Sequence, residues 1–329
     1  MPRALVLAPF DNHELEVLRT RVEAVYESWL DTGLIHDPSE LGRRLNAENF
    51  DILVVESDFV FDDLFENAPC LRFVGICRAG LNHIDLDAAR GRGVCVVNTP
   101  GRTAQAVAEH ALALMFALAR QIPMADRYVK SGGWSSPASA YKDMRGVELA
   151  GRTLGIIGYG AIGRALSTLA ACIGMRVLAF DPYAAGTTDA TTMVPLDELL
   201  RTSDFVSLHV PTTPETEGMI GPSQVALLKP GAFLVSCSDP SVVDENALVA
   251  ALRSGHIAGG AFDVFDTHPI RPDSLFLTLE NVLLTPHIAG ATDGTIQRHS
   301  RMMVSDIFRW LDGERPLNLV NPEVWHERG

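Results

Sequence analysis

Short apolar runs alternate with amphipathic segments in the N-terminal part of the chain. Apolar residues at helical spacing predict a helix over residues 14–28, and a second helix is expected over 86–91. Parallel strands covered by helices on both faces read as continuous apolar runs, so this alternation predicts an α/β fold with a parallel sheet. The apolar runs span residues 3–8, 50–55, 71–76 and 94–97.

One long helix separates this series from a second one. Residues 103–121 are rich in alanine and leucine and predict that helix, with Thr103 as its N-cap. Its apolar centre, 111–119, is too short for a membrane span and predicts a buried helix. A second alternating series covers about residues 153–286, and a final helix is expected over roughly 291–311.

The length and charge of the chain narrow the classes of function. A chain of 329 residues exceeds one typical domain, so two domains are expected. The formal net charge of -14 argues against nucleic-acid binding and against binding to anionic membranes. The N-terminal apolar run is too short for a signal peptide, so a soluble cytoplasmic protein is expected.

The cysteines give no sign of a metal site. The five cysteines are odd in number, scattered and without CxxC spacing. This pattern is typical of reduced thiols in the cytoplasm, and no metal site is expected.

A glycine-rich turn follows the first predicted strand of the second series. Gly158 permits a tight turn, Gly160 lets the backbone approach a pyrophosphate, and Gly163 allows close packing of helix on strand. Ala161 and Ile162 lie within this turn, and a helix is predicted over residues 164–173, whose N-terminal N–H groups favour phosphate. The next predicted strand ends in Asp181, which can accept hydrogen bonds from both hydroxyls of an adenosine ribose. An acid there repels a 2′-phosphate, so the sequence predicts NAD rather than NADP.

A set of ordered motifs extends this prediction over nearly the whole chain. The motifs are Asn98-Thr99-Pro100, Ala106-Val107-Ala108-Glu109-His110, the glycine turn, His209-Val210-Pro211-Thr212-Thr213-Pro214-Glu215-Thr216, Asp263-Val264-Phe265 and Thr285-Pro286-His287-Ile288-Ala289-Gly290. Through these motifs the chain resembles the NAD-dependent D-2-hydroxyacid dehydrogenase family.

The resemblance implies a domain organisation. Two doubly wound domains are expected: residues 1–98 and 289–329 as a flavodoxin-like substrate-binding domain, and residues 99–288 as an inserted Rossmann NAD domain. The long helix that Thr103 opens packs in a homodimer in such proteins. Further residues implied at the cofactor site are His209, Val210, Pro211, Thr216, Cys237, Ser238, Asp263, His287 and Gly290. Cys237 is expected beside the nicotinamide ribose, either as a small packing residue or as a reactive thiolate.

The family reaction needs three groups, and only one of them is present. An arginine binds the substrate carboxylate, a histidine transfers a proton to or from the hydroxyl oxygen, and a glutamate orients that histidine. His287 matches the histidine, but the arginine position is Asp239 and the glutamate position is His268. Reversing the charge at ~4 Å changes the interaction by several kcal/mol, so ordinary 2-keto acids are expected to lose at least ~10³ in turnover efficiency.

Other groups could compensate for these replacements. Asp239 could itself act as a base, and Asp266 could replace the missing anion next to His287. Arg78, in the segment Arg78-Ala79-Gly80 that matches the family's substrate-carboxylate loop, could bind an anionic substrate, and so could Arg102. Each of these two arginines could equally be a solvated surface residue.

Two classes of function therefore remain open from the sequence. The first is an NAD-dependent oxidoreductase that acts on the CH–OH or C=O group of an atypical small substrate, with a redox-neutral cycle as one form. An amino compound, a polyol or a neutral carbonyl suits Asp239 better than a carboxylate does. The second is a non-catalytic NAD-binding sensor or scaffold.

Overall fold

The structure, a computed structural model, describes residues 1–184 and 190–326. The chain divides into two compact units, each described by itself below. Unit 1 comprises Met1–Arg102 together with the segment from Thr292 onwards, and unit 2 comprises Thr103–Ala291.

Unit 1 is a parallel sheet covered by helices. Its described strands pair in the order β2-β1-β3-β4-β5, and every pairing is parallel. The elements before unit 2 are β1 (Arg3–Val6), α1 (Asn12–Arg19), β2 (Glu23–Tyr26), α2 (Trp29–Thr32), α3 (Pro38–Ala47), β3 (Ile52–Val55), α4 (Asp62–Asn67), β4 (Phe73–Ile76), α5 (Leu86–Gly91) and β5 (Cys95–Asn98).

The helix predicted over 14–28 is wrong in its second half. The side chain of Asp11 caps α1 by accepting hydrogen bonds from the N–H groups of His13 and Glu14. The helix ends at Arg19, and the following residues form the edge strand β2, which pairs with β1. Pairing with a neighbouring strand decided the conformation there, and helical periodicity in the sequence cannot report such a partner.

Unit 2 forms a larger parallel sheet. Its strand order, within the described residues, is β12-β11-β10-β9-β6-β7-β8. The elements are α6 (Ala104–Ala119), α7 (Ile122–Lys130), α8 (Pro137–Asp143), β6 (Thr153–Ile157), α9 (Ala161–Cys172), β7 (Arg176–Phe180), β8 (Thr192–Met193), α10 (Leu196–Thr202), β9 (Phe205–Leu208), α11 (Pro222–Leu227), β10 (Phe233–Ser236), α12 (Glu245–Ser254), β11 (Gly259–Phe262) and β12 (Val282–Leu284). Short 3₁₀ turns lie at Pro240–Val242 and Leu275–Thr278.

The long helix α6 is confirmed, but Thr103 is not a capping side chain. Thr103 has near-helical angles, φ -93° and ψ -3°, and its hydroxyl makes no cap hydrogen bond. The following helices α7 and α8 were not predicted. No helix in the described part of the chain is both long and apolar enough to cross a membrane.

The chain returns to unit 1 through α13 (Asp293–Leu311), followed by α14 (Glu323–His326). The side chain of Thr292 caps α13 at its first turn. Met303 packs directly on β4, where a Cβ at Gly75 would lie 2.2 Å from the Met303 sulfur. A side chain at residue 75 would therefore have to displace the Met303 side chain from the sheet.

Candidate functional site

The carboxyl edge of the unit 2 sheet collects most of the residues that the sequence singled out. The strand order reverses between β6 and β9, which makes this edge a topological switch point, the usual ligand site of such sheets. Each of these residues follows the carboxyl end of a strand: Gly158 after β6, Asp181 after β7, His209 after β9, Cys237, Ser238 and Asp239 after β10, Asp263 after β11, and His287 after β12.

The glycine turn has the geometry that a dinucleotide requires. Gly158 has a φ of +93°, and a Cβ there would lie 2.6 Å from the carbonyl oxygen of His209. A Cβ at Gly163 would lie 2.2 Å from the carbonyl oxygen of Gly158, so α9 can pack this closely only on a glycine. At Gly160 a Cβ would meet no atom within 4 Å, which leaves open space where a pyrophosphate could approach. Ala161 and Ile162, in the first turn of α9, present the N-terminal N–H groups of that helix.

Asp181 has the capacity to bind a ribose. Its Oδ2 accepts a hydrogen bond from Tyr159 N and its Oδ1 accepts one from Tyr183 N, both at 2.8 Å. An ionised carboxylate has about four acceptor sites, so both oxygens can still accept a hydroxyl. The residues at this edge therefore fit NAD.

The segment after β9 is held by its own side chains. His209 is half-buried, with its Nδ1 atom shielded from solvent, and its Nε2 lies 2.8 Å from Ser207 Oγ. Burial lowers the pKa of His209 to about 4, so its imidazole is neutral. Thr216 Oγ1 donates to the carbonyl oxygen of Pro211 at 2.6 Å, and Val210 Cγ1 packs against Gly158.

Cys237 and Ser238 follow β10 into the loop. Burial, and then the charge of Asp263, raise the pKa of the Cys237 thiol to about 12. The thiol therefore stays protonated, which fits a packing residue and not a thiolate. Ser238 is buried, and its Oγ has no hydrogen-bond partner among the described residues.

The Asp239 carboxylate folds back on its own loop. Asp239 Oδ1 accepts hydrogen bonds from Ser241 N at 3.0 Å and from Ser241 Oγ at 2.6 Å, which caps the 3₁₀ turn. Partial burial opposes ionisation, but the hydrogen bonds from Ser241 and Thr212 together outweigh it, so the pKa of Asp239 lies below its ordinary value. No lysine or arginine in the described residues forms an ion pair with it. Asp239 is a fixed negative charge.

His268 and His287 form a pair. The Nδ1 atom of His287 lies 2.9 Å from the Nε2 atom of His268, so one hydrogen joins the two rings. His287 has a φ of +55°, in the left-handed region that non-glycine residues rarely adopt. Asp266 forms an ion pair with Arg271 at 3.0 Å, so its carboxylate is paired with that arginine and not with the two histidines.

The buried carboxylate of Asp263 organises the loop that carries His287. Asp263 Oδ1 accepts hydrogen bonds from Thr285 Oγ1 at 2.5 Å and from Ile288 N at 3.0 Å. Its Oδ2 accepts one from Ala289 N at 2.9 Å, and its carbonyl oxygen accepts one from His287 N at 2.8 Å. Beyond this loop, a Cβ at Gly290 would lie 3.1 Å from Thr103 Cγ2.

In unit 1 the two candidate arginines differ. Arg102 is engaged, because its guanidinium lies 2.5 Å from Glu56 Oε1 and 2.7 Å from His299 Nδ1. Arg78 is half-buried, and its guanidinium has no hydrogen-bond or ion-pair partner in residues 1–184 and 190–326. The adjacent residues Ala79 and Gly80 are exposed, and their N–H groups donate to no described acceptor. Arg78–Gly80 is thus the segment with free donors for an anion.

Some residues at these positions were given no role of their own from the sequence, although His110 and Thr285 lie in the motifs. Ser241 fixes Asp239, Thr285 and His110 contact the Asp263 carboxylate, and Glu56 neutralises Arg102. The Asp239–Ser241 spacing is a local turn signal that could have been found. The described residues contain no group of three or more side chains able to hold a metal ion.

Comparisons with known proteins agree with this geometry. Residues 112–289 match the family model of the D-isomer specific 2-hydroxyacid dehydrogenase NAD-binding domain. A glyoxylate reductase of Korarchaeum cryptofilum is 44% identical over 82% of this chain and 81% of the relative. The TT0316 protein of Thermus thermophilus superposes with a TM-score of 0.84 at 34% identity, over 97% of this chain and 99% of that one. An acyclic imino acid reductase (Bsp5), solved with NADPH and D-Arg, has a TM-score of 0.81 at 25% identity over the same shares.

Proposed function

The chain belongs to the D-isomer-specific 2-hydroxyacid dehydrogenase family, and from that premise we propose an NAD-dependent oxidoreductase whose substrate is not an ordinary 2-keto acid. Unit 2 serves as its NAD domain and unit 1 as its substrate domain. The observation that carries the proposal is the fixed negative charge of Asp239 at the carboxyl edge of the NAD-domain sheet.

His287 is the proton-transfer group in this proposal. The hydride acceptor or donor is the nicotinamide ring that NAD supplies when it is bound. With the shared hydrogen on Nδ1 of His287, His268 accepts it, and in that tautomer the basic lone pair of His287 lies on Nε2. His268 fixes the tautomer, as a glutamate would, but it supplies no negative charge. A neutral pair can accept a proton from a hydroxyl or amino group, and it must first gain a proton before it can give one to a carbonyl oxygen or an imine nitrogen.

Asp239 selects the substrate and is not the base. A carboxylate whose pKa is lowered binds protons weakly at neutral pH, so it is a poor general base. Unit charges ~4 Å apart interact by ~4 kcal/mol at an effective dielectric of ~20, and solvent exposure reduces this to roughly 1–2 kcal/mol. The penalty on a nearby substrate carboxylate is therefore about ten-fold in rate, smaller than the ~10³ expected from the sequence.

The chemical class that fits these charges contains nitrogen. A protonated amine or iminium is attracted to Asp239, and a neutral carbonyl or polyol is tolerated. The imino acid reductase whose structure resembles this chain acts, by its name, on such a class. Within unit 1, Arg78 and the N–H groups of Ala79 and Gly80 are donors suited to an anionic group, whereas Arg102 is already neutralised by Glu56.

A substrate panel tests this proposal. NADH consumption is measured with glyoxylate and pyruvate alone, with the same acids plus ammonium or methylamine, and with neutral aldehydes. NADH formation is measured with amino acids and polyols, and product analysis with labelled NAD detects a redox-neutral cycle. Turnover of nitrogen-containing or neutral compounds in preference to free keto acids supports the proposal, and preference for keto acids contradicts it.

The alternative is a non-catalytic NAD-binding protein. It is favoured by one observation, namely that the Asp239 carboxylate already caps its own turn. Tight binding of NADH without turnover of any compound in the panel, in either direction, would establish this alternative.

We propose further that the protein is a homodimer assembled through α6–α8. This proposal is supported by exposed apolar side chains on those helices and the loop between α7 and α8: Phe116, Ile122, Val129, Trp134 and Tyr141. Light scattering after size-exclusion chromatography should give a dimer, and the Val129→Glu, Trp134→Arg double variant should give a monomer. A cytoplasmic location is proposed on the free state of the cysteines.

A further inference from the structure

The Asp263 carboxylate is a buried charge that needs a complete set of donors. It is fully buried, and no lysine or arginine of the described residues forms an ion pair with it. A buried carboxylate without enough donors is strongly unfavourable. Besides the N–H groups of Ile288 and Ala289, the groups that approach it come from Thr285 and from His110 of α6.

His110 reaches the carboxylate through the hydroxyl of Thr285. The Nε2 atom of His110 lies 3.1 Å from Thr285 Oγ1 and 3.7 Å from Asp263 Oδ1. A hydroxyl has one hydrogen, and Thr285 gives it to Asp263 at 2.5 Å. Thr285 Oγ1 must therefore accept a hydrogen from Nε2 of His110. The result is a directed chain of donors from His110 through Thr285 to Asp263.

The same carboxylate fixes a strained backbone. His287 lies between Thr285 and the two N–H groups that Asp263 holds, and its φ of +55° is disfavoured for a residue with a side chain. Hydrogen bonds on both sides of such a residue keep it in that conformation. Loss of the Thr285 hydrogen bond weakens Asp263 as an anchor for the loop.

We infer that His110 and Thr285 are positioning residues, which act through Asp263 to hold His287 in its left-handed conformation. Neither side chain is required to touch the substrate. The expected effect on kcat rests on the proposed role of His287 in proton transfer, whereas the expected effect on the conformation of the loop does not.

Two matched pairs of variants test the inference. Thr285→Val removes the hydroxyl at nearly constant shape, and Thr285→Ser retains it. His110→Leu removes the donor, and His110→Gln retains an N–H near the position of Nε2. Hydrogen exchange followed by mass spectrometry, with and without saturating NAD, reports on peptides that cover residues 285–289. Thermal unfolding confirms that each variant is folded.

Exchange in residues 285–289 should rise roughly ten- to hundred-fold in Thr285→Val and His110→Leu and stay near the parent value in Thr285→Ser and His110→Gln. Once a substrate is known, kcat should fall by a similar factor in Thr285→Val and His110→Leu, with KM little changed. In Thr285→Ser and His110→Gln, kcat should stay near the parent value. Unchanged exchange in Thr285→Val and His110→Leu would overturn the inference. Faster exchange in a protein without turnover would leave the inference intact and refute the proposed function.

Discussion

Replacing Gly163 and Gly160 with alanine separates packing from cofactor binding at the glycine turn. A methyl group at Gly163 would lie 2.2 Å from the carbonyl oxygen of Gly158 and 3.1 Å from Ile156 Cγ2. A methyl group at Gly160 would meet no protein atom within 4 Å. The two substitutions therefore add the same group to one loop, with a clash at Gly163 and none at Gly160.

The geometry sets the size of each effect. Ordinary contact needs about 3.5 Å, so α9 must move from Gly158 by about 1 Å, and overpacking of this kind costs about 1–3 kcal/mol. At Gly160, the N-cap of α9, weaker capping by alanine should cost no more than ~1 kcal/mol of the free energy of unfolding. In both variants the methyl group or the displaced loop should weaken NADH binding about ten-fold or more, because the pyrophosphate approaches the backbone there.

Chemical unfolding measures the stabilities, and nucleotide fluorescence titration measures NADH affinity. Gly91→Ala serves as the control, since residue 91 ends α5 in unit 1 and a Cβ there meets nothing within 4 Å. It should leave NADH affinity unchanged and should not lower stability, since alanine favours a helix over glycine by up to ~1 kcal/mol. If Gly160→Ala binds NADH like the parent, or Gly163→Ala is as stable as the parent, the assignment of the turn is wrong.

Two further predictions concern charge. Asp181→Asn should lower NADH affinity and raise the ratio of NADPH to NADH affinity about ten-fold, because it removes a charge that repels a 2′-phosphate. An equal loss of affinity for both nucleotides would contradict this role. His83 and His209 have pKa values lowered to about 4 by burial, from an ordinary 6.5. Between these two pH values the unfolded chain binds more protons than the folded one. The free energy of unfolding therefore keeps its full value above pH 6.5 and falls toward pH 4 by ~1.4 kcal/mol per pH unit for each histidine. In urea unfolding, His209→Asn should remove the contribution of one histidine to this pH dependence, and an unchanged pH dependence would contradict the burial effect.

The sequence reveals local and periodic features of this fold well. The strands β6 and β7, the glycine turn and the position of Asp181 are confirmed, because each depends on residues close together in the chain. The edge strand β2 was missed, since its pairing with β1 is a contact of the fold.

The hydrogen-bond and ion-pair partners of a candidate side chain are harder to predict than its position in the fold. Arg102 is neutralised by Glu56 and contacts His299, which is separated from it by 197 residues in the chain. No local pattern reports such a partner. The chain of donors from His110 to Asp263 likewise joins α6 to two strand ends, and only the folded structure brings these residues together.

The central claim is that the negative charge of Asp239 turns an NAD-dependent dehydrogenase away from keto acids. The most direct measurement compares kcat/KM for glyoxylate with kcat/KM for a neutral aldehyde in the parent, in Asp239→Asn and in Asp239→Arg. Asp239→Asn keeps an acceptor for Ser241, so it separates the charge from the cap. The glyoxylate-to-aldehyde ratio should rise about ten-fold in Asp239→Asn and further in Asp239→Arg. An unchanged ratio in both variants would contradict the claim.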